Sequence, residues 1–477
     1  MTGTSDGSIN ITDLTTGTCS TKYRHGSGSG DKYRGITALH CLPTLCPGAK
    51  TALFFTGCSN GIVKAWPIPT NGASAPQTPV DSHGNLSNTQ PSSYWGFRMN
   101  LRLKNSIAVM KAHTAPITAL VSRSLEAPAG WLLASGDEKG MVCLTRGSER
   151  SSSTTCCSTI IQANFSRPGA TSSHSVTPSA DANVRKVTQS SVLSGGKITI
   201  SCLSFIGTPA VTTKEAVASK SKTGKKAGAA GVVVSAGVTS GVSTGTEEYL
   251  GVGTSTGLIS VLDLTTATPI YQVAGHTARV TQLIGLRANE FISCSADRSI
   301  KLWDIRTRNR PTQNFAGKIL EERCLGASDH RKCGASPITA IAVGGSDNSL
   351  VSSTSADGVV RLWDRRYDVN VPCCVTQGHT NRITAIAWNG VNEFHTASHD
   401  GTVRTWDSIN GQNTFMLQAF DEEGITNMKM TSFKCANHIM ITPRGPVTFT
   451  DADKLSQRTC IVASGWNGTI KSFVHDV

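Results

Sequence analysis

Three stretches of this chain repeat one another, and that repeat limits the fold more than any other feature. Gly275–Arg306 reads GHTARVTQLIGLRANEFISCSADRSIKLWDIR, Pro337–Arg366 reads PITAIAVGGSDNSLVSSTSADGVVRLWDRR, and Gly378–Asp407 reads GHTNRITAIAWNGVNEFHTASHDGTVRTWD. Each holds three short runs that alternate apolar and polar residues, separated by polar turns, which is the signature of strands rather than helices. Asp297, Asp357 and Asp400 each precede a turn, and Trp303, Trp363 and Trp406 follow six residues later. Two of the three turns are Asp-Gly, whose left-handed glycine suits a tight hairpin. One such unit cannot bury its own apolar face, so the units must stack on one another.

Taken together, the Gly-His, the Ser/Thr-x-x-x-Asp turn and the Trp-Asp ending resemble the WD-repeat (WD40) family. The resemblance implies an all-β propeller, with four-stranded blades packed radially around a channel. It also implies a hydrogen-bonded tetrad inside each blade. Carried onto this chain, His276, Ser293, Asp297 and Trp303 make one tetrad, and His379, Thr396, Asp400 and Trp406 a second. The middle unit keeps Ser353, Asp357 and Trp363, with Gly334 where the histidine would stand. The chemistry is coherent, because a buried carboxylate needs donors and a buried indole N–H needs an acceptor. These histidines are therefore read as structural, not catalytic or metal-binding.

Weaker copies extend the pattern: Ile36–Ile68 with Asn60 and Trp66, His113–Arg146, Ile198–Leu264, and a final unit from Gly424 with Asn467 and Phe473 in the Asp and Trp positions. Seven units then have both an inner strand and a hairpin. Spacing is irregular, 60 residues from Trp303 to Trp363 and 43 from Trp363 to Trp406, as loop insertions produce. Residues 1–14 look like the middle hairpin of a further blade. Seven blades are expected, closed by Thr18–Arg24 pairing with the C-terminal strands, which would hide two edges. The alternative is eight blades with one strand missing at the start.

The stretches 69–105, 147–196 and 207–248 break the pattern and read as loop insertions of one single domain. The last holds five lysines within Lys214–Lys226, a composition shared by nuclear-targeting segments, nucleic-acid contacts and plain solvated loops. Fifteen cysteines in 477 residues fall well below disulfide-scaffold density, and there is no CxxC pair. A reducing compartment, nucleus or cytoplasm, is expected. No signal peptide is visible and no run nears 18 apolar residues, so no membrane association is expected. Phosphate loops, HExxH and nucleophile elbows are absent, so neither an enzyme nor a cofactor or small-molecule substrate is expected.

The net charge of +13 leans toward acidic protein partners, with RNA reached through an assembly. Arg279, Arg298, Arg382 and His399 fall on the loops that such a ring presents at one end, where guanidinium forks suit carboxylate or phosphate. Trp303-Asp304-Ile305-Arg306 and Trp363-Asp364-Arg365-Arg366 resemble a motif by which some WD-repeat proteins dock onto the adaptor of cullin–RING ubiquitin ligases. The functional expectation is a non-enzymatic scaffold in a multiprotein or ribonucleoprotein assembly, with a ribosome-related setting favoured. The alternative is a ubiquitin-ligase substrate receptor using Arg306 and Arg366.

Overall fold

A computed structural model describes residues 1–12, 19–25, 35–42, 52–68, 106–125, 130–149, 155–164, 176–178, 185–188, 198–207, 249–264, 269–286, 289–307, 310–315, 336–345, 347–367, 372–421, 423–434, 438–442, 445–449 and 457–476. Among them are strands and turns and no helix. The strands form eight blade sheets with antiparallel neighbours in chain order, save for two strands added outside the third blade, one of which pairs parallel. The first sheet is Thr2–Gly3, Ser8–Thr12 and Cys19–Arg24. Blades two to seven open with the inner strands Ile36–Cys41, Ile117–Leu125, Ile200–Ile206, Val280–Gly285, Ile338–Gly344 and Ile383–Asn389. The eighth is Ile425–Lys434, Gln457–Gly465 and Ile470–Asp476, with a separate hairpin, His438–Thr442 and Gly445–Phe449, inserted after its inner strand.

The fold is thus an eight-bladed β-propeller, the alternative reading, and not the seven-bladed ring favoured from sequence. The expected closing strand does not pair with the C-terminal blade. Cys19–Arg24 instead pairs with Ser8–Thr12 as the outer strand of the first sheet, from Ser8 opposite Arg24 to Thr12 opposite Cys19. The reason lies in how blades meet. A Cβ on Gly57, Gly136 or Gly253 would sit 2.6, 2.5 or 2.9 Å from the first packing residue of the next blade, Ile117, Ile200 or Val280. Gly3 has the same relation to Ile36, at 2.5 Å. The N-terminal hairpin therefore occupies a full blade position ahead of the second blade.

This strand position is small all round the ring: Gly3, Gly57, Gly136, Gly253, Cys294, Thr354, Ala397 and Ser464. It is a slot for the neighbouring blade's β-branched residue. Gly136→Val should therefore destabilise the protein by about 1–3 kcal/mol through overpacking, read as a lowered thermal midpoint. An unchanged midpoint would mean that the slot is slack.

Buried Trp66, Trp131, Trp303 and Trp406 anchor the layers between blades. Hydroxyls staple adjacent inner strands: Thr118 donates to the Ile200 carbonyl at 2.6 Å, Ser201 to Val280 at 2.6 Å and Thr384 to Ile425 at 2.9 Å. Trp388 Nε1 donates to Ser352 across the sixth and seventh blades at 2.9 Å. Lys429, on the last inner strand, lies close enough to the second blade to help burial lower the His40 pKa. Cys202 and Cys294 have thiols pushed up to about 12 by burial. They stay protonated and pack as small apolar groups.

Part of the 147–196 insertion is strand. Thr155–Asn164 pairs with Met141–Glu149, and Arg185–Thr188 and Val176–Pro178 widen the third blade to six strands. The insertion at 69–105, the lysine-bearing stretch at 208–248, Thr18 and Gly334 lie outside the described residues.

Candidate binding face

Blades two to seven each present two loops at the same end of the ring: the hairpin between the second and third strands, and the connection that precedes the inner strand. A repeated backbone bond ties them together. Ala296 N–H donates to the Arg279 carbonyl at 2.9 Å, His399 to Arg382 at 2.8 Å, Ala356 to Pro337 at 3.0 Å and Glu138 to Pro116 at 3.0 Å. Side chains on this face are consequently held by paired loops rather than by loose ones.

Beneath the loops lie the histidine networks. His276 Nδ1 is 3.0 Å from Asp297 Oδ2, and a carboxylate can only accept, so Nδ1 carries the proton. Nε2 then accepts from the Ser293 hydroxyl at 2.7 Å, and that oxygen accepts from Trp303 Nε1 at 2.8 Å. In the seventh blade His379 donates to Asp400 at 2.8 Å, Thr396 donates to His379 Nε2 at 2.8 Å and Trp406 donates to Thr396 at 2.8 Å. The Thr277 and Thr380 amides also donate to these carboxylates, at 2.9 and 3.0 Å. Burial pushes the Asp297 and Asp400 carboxyls up, but the histidine, hydroxyl and amide donors outweigh it and hold both well below the usual range. An Asp–His–Ser order suggests a nucleophile, yet Ser293 and Thr396 are 0% exposed and both hydroxyls serve the indole and imidazole. A substrate cannot reach them in this arrangement.

A third network escaped the sequence reading. His113 Nδ1 donates to Asp137 at 3.1 Å and Nε2 accepts from Ser135 at 2.7 Å. Its aspartate stands two positions earlier than Asp297 does, and Thr145 replaces the tryptophan. In the sixth blade Arg361 fills the space below the hairpin. Its guanidinium lies 3.6 Å from Asp357 Oδ2 and donates to Ser355 Oγ at 3.0 Å, while Trp363 donates to Ser353 at 3.1 Å. Four residues after the turn aspartate, this arginine faces the carboxylate itself.

The structure places Arg279 and Arg298 together on the fifth blade and Arg382 with His399 on the seventh. The three arginines are exposed and His399 is half-buried. The sixth blade offers Pro337 and Gly358 at the equivalent positions, so the cations form two clusters and not one continuous patch. Arg298 has φ +73°. The same hairpin position is glycine in all seven other blades: Gly7, Gly61, Gly140, Gly257, Gly358, Gly401 and Gly468, with φ between 79° and 85°. Arg306 and Arg366 lie elsewhere. Each forks the aspartate two residues before it: Arg306 Nε donates to Asp304 at 3.0 Å and Arg366 Nε to Asp364 at 3.0 Å. No group of three or more His, Cys, Asp or Glu among the described residues could hold a metal ion.

The family model "WD domain, G-beta repeat" matches residues 267–304, 325–364 and 370–407, the stretches that end in Trp303-Asp304, Trp363-Asp364 and Trp406-Asp407. These three stretches are WD40 repeats. Among relatives, it is 26% identical over 141 residues to a "Ribosome biogenesis protein WDR12 homolog" of Arabidopsis thaliana, covering 29% of this chain and 28% of that one. A protein of the same description from Nematostella vectensis is 28% identical over 147 residues, covering 30% of this chain and 31% of that protein. The "GATOR2 complex protein Wdr59" of Drosophila melanogaster is 31% identical over 170 residues, 34% of this chain and 16% of the relative. The matched stretch thus spans less than a third of each of these relatives. The computationally designed Ika8 protein is similar in fold, with a TM-score of 0.53 at 16% identity, covering 99% of this chain and 91% of the other. Among the described residues no helix is long and apolar enough to cross a membrane.

Proposed function

We propose that this WD40 chain is a non-enzymatic interaction scaffold that holds an acidic protein partner on its hairpin face, within an assembly related to ribosome formation. The observation that carries the partner reading is Arg298. A side chain with a Cβ in the left-handed region costs about 1 kcal/mol, and seven blades avoid that cost with glycine. An outlier of this kind points to a role for the side chain itself. Arg279 shares its blade, and Arg382 stands two blades on, so a partner longer than one blade can meet both clusters. Guanidinium forks bind carboxylates in a bidentate way. The setting rests on the relatives described as ribosome biogenesis proteins. RNA would then be met through that assembly.

The test is a variant carrying Arg279→Ala, Arg298→Gly and Arg382→Ala. Glycine at position 298 should stabilise the fold by about 0.5–1 kcal/mol, because it relieves the left-handed strain. Affinity purification with mass spectrometry should nonetheless lose partners that the wild type retains. Binding of those partners should also weaken as salt rises, since exposed charges are screened over roughly 8 Å at physiological ionic strength. A stabilised variant that keeps every partner would show that these arginines are solvated surface.

A further inference from the structure

We infer that the corner between the seventh and eighth blades is a second binding site, of opposite character, that takes an arginine side chain from a partner protein. The sequence at the loop before each inner strand shows the reversal. Where the fifth and seventh blades read His276-Thr277-Ala278-Arg279 and His379-Thr380-Asn381-Arg382, the eighth reads Phe420-Asp421-Glu422-Glu423. The eighth loop is one residue longer: Gly424 stands where the arginine precedes the inner strand, and three acids fill the loop ahead of it. The hairpin changes as well. The residue before the turn Asp, or Asn467 in the eighth blade, is Ala296 in the fifth blade and Ala356 in the sixth, but His399 in the seventh and Trp466 in the eighth. Trp466 is 74% exposed, unusual for an indole that has no packing duty.

A closed set of contacts gathers these groups. The rings of His399 and Trp466 meet edge to face with centroids 5.7 Å apart. A Cβ on Gly424 would lie 3.0 Å from His399 Nδ1, so the chain just after Glu423 packs on that imidazole. A Cβ on Gly465 would lie 3.3 Å from Glu423 Oε2, so the carboxylate rests against the backbone that carries Trp466. Glu423 Oε2 is shielded from water and has no hydrogen-bond partner among the described residues, while Asp421 nearby in the loop is exposed. The corner therefore joins an open indole face, steadied from one side by His399, to the carboxylates of Asp421 and Glu423, with Lys471 set back over the Phe420 ring at 5.0 Å. A planar cation satisfies both: a guanidinium stacks on an indole and forks a carboxylate. An anionic partner would be repelled by Asp421 and Glu423, and a purely apolar one would leave them unpaired.

The probe is acetyl-Gly-Gly-Arg-Gly-Gly-amide, with citrulline and glutamate versions as neutral and acidic controls. The readout is the Trp466 indole N–H signal of the full chain in an amide-nitrogen correlation spectrum, assigned by its loss in W466F. The arginine peptide should shift that signal saturably, and the citrulline and glutamate peptides should not. E423Q combined with D421N should weaken arginine-peptide binding roughly tenfold, the scale of one lost charged contact at a stacked site. W466A, a change at a surface position, should abolish binding, read by titration calorimetry because its indole signal is gone, with an unaltered thermal midpoint. Equal shifts by the citrulline peptide, no shift at millimolar arginine peptide, or full binding by W466A would each overturn the site. None of these outcomes bears on Arg279, Arg298 and Arg382, which lie on other loops.

Discussion

Asp400→Ala is expected to lower the stability of the protein by about 2–4 kcal/mol. The carboxylate accepts from His379, from the Thr380 amide at 3.0 Å, from the Thr402 amide at 2.9 Å and from the Thr402 hydroxyl at 2.6 Å. Removing it leaves the Nδ1–H of a buried imidazole with only the Thr402 hydroxyl, 3.1 Å away, and loosens the hairpin that ends the second strand. Each buried donor left unmade costs about 1–3 kcal/mol. The same network predicts a pH dependence. Burial lowers the His379 pKa, and the Asp400 hydrogen bond offsets this only in part. Folding therefore favours the neutral ring. That stabilisation is complete above the unfolded value of about 6.5 and fades as pH falls from there through the lower folded value. The Asp400 carboxylate, held low in the fold, gives stability that is complete above about pH 3.9 and is lost only at lower pH. Thermal midpoints taken between pH 7.5 and 5 should fall for the wild type and fall less for His379→Gln. A D400A midpoint equal to wild type would remove the tetrad as a source of stability.

The blades that could be read from sequence are those in which turn, tetrad and core signals coincide. In the fifth and seventh blades the Asp, the Trp six residues on and the His some twenty residues before all serve one network, so spacing alone finds them. The third blade keeps the network but moves its carboxylate to Asp137, two positions early, and drops the tryptophan. Spacing then fails although the hydrogen bonds survive. The blade count failed for a different reason. Closure was inferred from edge strands, whereas the deciding contact is the small slot at Gly3 that receives Ile36. That slot recurs in every blade as a small residue three before the turn position, and it was legible once the hairpins were aligned. The face residues were placed on the correct loops, but their two-cluster arrangement depends on Pro337 and Gly358 of the blade between them. Trp466 and Glu423 went unnoticed because a turn residue and an acidic loop carry no periodic signal, and only the packing of neighbouring blades brings them together.

The sixth blade shows how the fold supports a turn carboxylate without the histidine, and the substitution that tests it should have an effect as large as that of Asp400→Ala. Basic residues recur four positions after the turn in the second, fifth and seventh blades, as Lys64, Lys301 and Arg404. Lys64 and Lys301 reach the backbone carbonyls of His25 and Gly275. Arg361 instead turns to the acid. Its side chain is 7% exposed and that of Asp357 13%, so the pair is almost fully withdrawn from water. The Ser355 hydroxyl donates to Asp357 and accepts from Arg361, which makes it the hinge of the trio. Within the described residues the Arg361 Nε finds no acceptor, so the guanidinium is desolvated and leans on Asp357 for compensation. Arg361→Met keeps most of the stem volume and leaves the carboxylate short of its cation. Breaking one side of a buried pair costs about 3–5 kcal/mol, and the partial exposure of Asp357 sets the expectation at the lower end, about 3 kcal/mol. Arg361→Met combined with Asp357→Asn should recover much of that loss, because neither charge then remains unpaired. Chemical denaturation of the two single variants and the double variant completes the cycle. If the double variant loses as much as the two single variants added together, the pair is not coupled, and Arg361 acts only as packing beneath the hairpin.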